Sequence, residues 1–75
     1  MAITPSPREH ETLLLVMEGF RNKEGADLMG ISPRTFECHK QHLLAKFKTK
    51  SPVVMALIAV RTGLVKLDDA LDWEI

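Results

Sequence analysis

Seventy-five residues, 45% of them apolar, with only four Gly and four Pro, describe one small globular domain rather than a disordered segment. A single Cys excludes an internal disulfide framework and suits a reducing cytoplasm. Ten Lys and Arg balance ten acids, no apolar run nears the ~20 residues of a membrane span, and no N-terminal leader pattern is present.

In chain order, residues 1–5 read as a flexible lead-in. Ser6-Pro7-Arg8-Glu9 is a capping box, in which Ser6 accepts from the third helical N–H and Glu9 reaches back. The first helix is expected from Pro7 to about Glu18, with Leu13, Val16, Met17 and Phe20 facing a core, Leu14 on the flank and Gly19 as the stop. Asn22 is the expected N-cap of a second helix that runs to Met29. Gly30 supplies the left-handed residue that ends it. Ser32 then caps a third helix with Pro33 in its first position, where a missing N–H is harmless. On that helix Phe36, His39, Leu43 and Phe47 share one face, and Leu44 widens it inward. The opposite face presents Arg34, Glu37, Cys38, Lys40, Gln41, Ala45 and Lys48.

A basic turn, Lys48-Thr49-Lys50, precedes a second cap-then-proline start at Ser51-Pro52, and the fourth helix runs to about Thr62 before Gly63. Residues 53–60 of that helix are all apolar. A terminal helix on a small domain cannot bury every side against one core, so an exposed apolar stripe implies a partner. Residues 66–75 form an acidic amphipathic tail. Residues 1–67 hold all ten Lys and Arg against six acids, net +4, while Asp68, Asp69, Asp72 and Glu74 make the tail −4. Such asymmetry fits a basic binding surface with a separate acidic segment. Leu67, Leu71 and Trp73 allow the tail to cap helix four or helix one; its acids allow competition for the basic surface, and Trp73 alone allows an anchor for a protein partner.

Two helices joined by a short Gly-containing turn, the second with a polar outer face, form a helix-turn-helix signature for DNA. Other chemistry is poorly supported. Cys38 and His42 stand one helical turn apart, but no second ligand pair matches them, so neither a metal site nor another cofactor is expected. Cys38 lacks a neighbouring base, and there is no phosphate loop or acid–base carboxylate pair, so no enzyme is expected.

The string NKEGADLMGISPRTFECHKQHLLAKF resembles the LuxR/GerE family of bacterial transcription regulators. Asn22, Lys23, Glu24, Ala26, Leu28, Ile31, Ser32, Thr35, His39 and Lys46 match its pattern in type and spacing, as do the apolar Phe36, Leu43 and Phe47. Pro7-Arg8-Glu9-x-Glu11 matches the family's opening, and SPRTFECHK is nearest the FixJ-like branch. One departure is Gly25, where the family carries an aliphatic residue. The expected cost is about 1 kcal/mol of helix propensity plus a small packing defect.

The resemblance implies an all-α, four-helix helix-turn-helix domain over residues 6–65 that dimerises through helix four and acts as a sequence-specific transcriptional regulator in the bacterial cytoplasm, on the nucleoid. The partner would be double-stranded DNA with two-fold related half-sites. Glu37, Cys38 and Gln41 would face base edges, and Arg34, Thr35, Lys40, Lys46, Lys48 and Lys50 would hold phosphates. Val54, Leu57, Ile58 and Arg61 would form the homodimer face. His39 would be a half-buried histidine tying helices together. The competing expectation is a protein-interaction module of the same fold that binds another regulator or RNA polymerase without DNA, through helix four or Trp73. Family members usually join this domain to a receiver or ligand-binding domain. The chain is then either a stand-alone regulator or a domain excised from a longer one, and Met1 lying close to the first helix fits the stand-alone short chain.

Overall fold

The structure is a computed structural model that describes residues 3–65; the acidic tail therefore lies outside the described residues. It is all-α: α1 (Pro7–Met17), α2 (Asn22–Met29), α3 (Pro33–Lys46) and α4 (Pro52–Arg61). The long α3 packs on both α1 and α2, and α4 closes against α1.

The main core is built from Leu13 of α1, Leu43, Leu44 and Phe47 around the end of α3, Met55 and Ala59 of α4, and Val65. Ile3, in the expected lead-in, packs on this cluster together with Leu14, Val16, Met17, Ile58 and Leu64. Phe20 does not join it. The chain reverses at Gly19 (φ 90°), so Phe20 leaves the helical periodicity of α1 and remains 37% exposed.

Polar ties fix the helix ends. The capping box at α1 forms as expected, with the Glu9 N–H donating to Ser6 Oγ at 3.2 Å and the Ser6 N–H donating to Glu9 Oε1 at 2.9 Å. The Arg8 guanidinium donates to the carbonyl of Met29 at 3.3 Å, so a cation from α1 sits at the C-terminal end of α2, where helix-end carbonyls favour it. The α2 cap differs from expectation by one residue. Arg21 is the N-cap, its N–H donating to the Glu24 carboxylate at 3.0 Å, and Asn22 is the first helical residue with its side chain turned toward α3.

Glu9 does more than cap. Its carboxylate is almost fully buried, lies 2.6 Å from Lys46 Nζ and 4.0 Å from His42 Nδ1, and so bolts α1 to α3. The Lys46 hydrogen bond and the Ser6 backbone N–H outweigh desolvation and lower the Glu9 pKa below its ordinary value. Because the folded value is depressed, this contribution to stability is complete above the unfolded carboxyl pKa of about 4.3 and is lost as pH falls through the lower folded value. Thermal melts between pH 2 and 7 are expected to show wild-type stability falling in that acid window. A Glu9→Gln variant should show a flatter profile there, from a lower plateau at neutral pH. Parallel profiles for the two proteins would remove Glu9 as the group responsible.

Candidate nucleic-acid interface

The turn between α2 and α3 is three residues long, Gly30 to Ser32. Gly30 has φ 71°, and two bonds seal the end of α2: Gly30 N–H to Asp27 O at 3.2 Å and Ile31 N–H to Ala26 O at 3.0 Å. Only a residue without a Cβ adopts that left-handed conformation freely, and it is what turns the chain sharply enough to lay α3 across α2. Ser32 then accepts the Thr35 N–H at 3.1 Å and starts α3 as its sequence foretells. The resulting pair is anchored by Phe36, which is completely buried over Gly25 of α2.

With Phe36, Leu43, Leu44 and Phe47 inward, α3 turns Arg34, Cys38, Gln41, Ala45 and the following Lys48 outward as exposed residues, with Glu37 and Lys40 half-buried at the α2 edge and His39 also half-buried. Arg34 and Thr35 lie at the start of this strip. Gln41, Ala45, Lys48, Thr49 and Lys50 line a shallow depression at its other end. The strip is therefore polar in the middle and cationic at both ends.

Glu37 is not free. It accepts from the Asn22 side-chain amide on one carboxylate oxygen and from Gln41 Nε2 at 2.8 Å on the other. Asn22 in turn accepts from Lys40 Nζ at 3.4 Å through its own Oδ1. The Gln41 and Asn22 bonds hold the Glu37 carboxyl below its usual pKa. Asn22 is the member of this cluster that the sequence reading missed. Its place at a helix start suited an N-cap equally well, and only the approach of α3 decides between the two roles.

Two other expected positions lie elsewhere. Lys46 shares α3, but its ammonium is spent on Glu9 and on the carbonyl of Thr4 at 3.4 Å, on the α1 side of the helix. On α4, Val54 is 41% and Leu57 is 65% exposed, and Arg61 is also exposed, but Ile58 packs partly onto the core. Val53, 69% exposed, extends the open apolar face instead, toward a groove lined by Val16, Met17, Ala56, Leu57 and Val60. The reason is phase. Met55 and Ala59 point straight inward, which leaves Val53 and Leu57 opposite and Ile58 on the flank.

Lys48 carries a conformational cost. It ends α3 at φ 56°, the one non-Gly residue with positive φ among the described residues, with Lys48 N–H to Ala45 O at 3.0 Å and Thr49 N–H to Leu44 O at 3.1 Å. Lys48→Gly is expected to stabilise the domain by about 0.5–1 kcal/mol, relief of left-handed strain less the greater backbone entropy of glycine. Urea melts on the variant check the sign.

These features define a class of protein: a helix-turn-helix domain whose second helix exposes a polar, cation-flanked strip. Residues 5–59 match the pattern of the family described as "Bacterial regulatory proteins, luxR family", and the chain belongs to that family. It is a family of regulators, not enzymes. The chain is 35% identical over 65 residues to the transcriptional regulatory protein FixJ of Azorhizobium caulinodans, covering 87% of this chain and 31% of that protein. It is 36% identical over 61 residues to the oxygen regulatory protein NreC of Staphylococcus aureus, covering 81% of this chain and 28% of that protein. The chain thus spans about three-tenths of the length of these relatives. No solved structure matches it significantly. Among the described residues, no helix is long and apolar enough to cross a membrane.

Proposed function

We propose that this domain binds double-stranded DNA sequence-specifically as a homodimer and regulates transcription in a bacterial cytoplasm, on the nucleoid. The observation that carries the reading is the exposed strip of α3, polar at Cys38 and Gln41 and flanked by Arg34 at one end and Lys48 and Lys50 at the other. A helix so presented by a helix-turn-helix enters the major groove, with its flanking cations on the phosphates that border it. Thr35 and Lys40 add backbone contacts, whereas Lys46 is left out of the phosphate set because Glu9 holds it.

Homodimerisation through α4 rests on the exposed Val53, Val54 and Leu57, with Arg61 at the edge. The same apolar face favours the second reading, a domain that docks on another regulator or on RNA polymerase, and the balance of ten cations against ten acids makes the chain a weak polyelectrolyte partner overall.

Salt separates the two. Three or four phosphate contacts per protomer predict that log K falls against log salt with a slope of about −3 per protomer in a gel-shift titration. Lys48→Ala and Lys50→Ala should each reduce that slope by about one unit, uniformly across DNA sequences, whereas Lys46→Ala should leave it unchanged. Failure to retain any duplex at low salt would leave the protein-docking reading standing.

A further inference from the structure

Resting on the DNA-binding reading, we infer that Gln41 reads an adenine in each half-site, and that Glu37 and Asn22 are positioning residues that set the Gln41 amide for it rather than readers of bases themselves.

The geometry is directional at every link. A carboxylate only accepts, so the Gln41 group 2.8 Å from Glu37 is its amide nitrogen and cannot be its carbonyl. The second carboxylate oxygen of Glu37 is occupied by the amide nitrogen of Asn22, which turns Asn22 Oδ1 toward the Lys40 ammonium, 3.4 Å away. Lys40, Asn22, Glu37 and Gln41 therefore form one chain of donors and acceptors that leaves α3 at Lys40, crosses to Asn22 of α2 and returns through Glu37 to Gln41 on the exposed face of α3. Nothing in that chain permits the Gln41 amide to flip without leaving a nitrogen-for-oxygen mismatch at Glu37.

What remains on Gln41 is one N–H and the carbonyl oxygen, and Gln41 is exposed. Adenine offers N7 as acceptor and its N6 amino group as donor on the major-groove edge, so it takes both remaining groups. Guanine offers two acceptors, N7 and O6, and would need two donors where Gln41 has one left. The Glu37 charge beside it adds repulsion toward those acceptors. Cytosine and thymine can satisfy one group each. The clamp thus converts a side chain that tolerates several bases into one that prefers an A·T pair. Glu37, whose two oxygens are both engaged, contributes through Gln41.

The test is selection of bound duplexes from a random pool, followed by competition with single-position variants, on the full chain. Wild type is expected to select A·T at one position per half-site, with about 5- to 150-fold discrimination there. Gln41→Ala and Glu37→Ala should each flatten that same position and leave the others intact. Asn22→Ala should relax it severalfold, with a thermal melt confirming that the variant is folded. Glu37 is half-buried but outside the core, so its variant keeps the proposal testable if Asn22→Ala melts early. Glu37→Ala relaxing a different base pair, guanine selected at the Gln41 position, or an unchanged preference in Glu37→Ala would each overturn the inference while leaving DNA binding intact. Absence of any duplex retention by wild type overturns the DNA-binding reading, and this inference with it.

Discussion

Replacing Gly25 by isoleucine is expected to destabilise the domain by about 1–3 kcal/mol or more, although isoleucine is the better helix former. A Cβ at position 25 would stand 2.5 Å from two ring carbons of Phe36 and 3.2 Å from a third. Phe36 has no exposed surface and cannot swing aside into solvent. The helix-propensity gain on leaving glycine, about 1 kcal/mol at most, is smaller than the overpacking. Phe36→Val alone should cost about 2–4 kcal/mol by opening a void over Gly25. The double variant Gly25→Ile with Phe36→Val restores an aliphatic pair of ordinary volume and should recover most of the loss. A domain of 75 residues has roughly 4–11 kcal/mol in total to lose, so either single change takes a large share. Urea melts followed by circular dichroism measure all four corners of the cycle. Additive single effects, with no coupling beyond about 0.5 kcal/mol, would mean that Gly25 and Phe36 are not a matched pair.

On the proposed α4 dimer, Leu57→Glu is expected to leave a folded monomer that binds a duplex with two half-sites about 100-fold more weakly, because the second protomer would no longer be tethered to the first. Leu57 is 65% exposed and outside the main core, so a charge there is hydrated in the monomer and buried only if two copies meet. Affinity for a single half-site should barely change. Met17→Glu probes the α1 side of the adjoining groove; it should weaken dimerisation less, since Met17 already packs partly against the core. Sedimentation of Leu57→Glu at the wild-type mass of a dimer would move the interface elsewhere, and unchanged two-site affinity would separate dimerisation from binding.

Much of the fold is legible because its signals are local. Ser6, Ser32 and Ser51 each accept a backbone N–H at a helix start, as a hydroxyl followed by Pro in the first helical position foretells. The inward row Phe36, Leu43, Leu44 and Phe47 follows from a 3.6-residue period, and all four are buried. The outer strip of α3 was readable for the same reason, being what remains when the apolar row faces in. The short Gly30-containing turn between the second and third helices adds the α2–α3 pairing.

What the chain determined by itself, then, is where helices start and stop and which side of each is dry, since caps, proline and periodicity act within a few residues. Contacts between helices are a different matter. Asn22 reads as a cap until α3 brings Glu37 to it, and Lys46 reads as one more cation of the strip until α1 brings the buried Glu9 within 2.6 Å. Gly25 reads as a defect until the Phe36 ring fills the space its missing side chain leaves, and Ile58 reads as surface until the phase of α4 is set by Met55 and Ala59. Asn22, Lys46 and Gly25 were each decided by a partner from another helix, 11 to 37 positions away. Hydrogen bonding, charge pairing and close packing act over a few ångströms of space whatever the distance along the chain, so only the tertiary structure could choose between roles that the local signals leave equal.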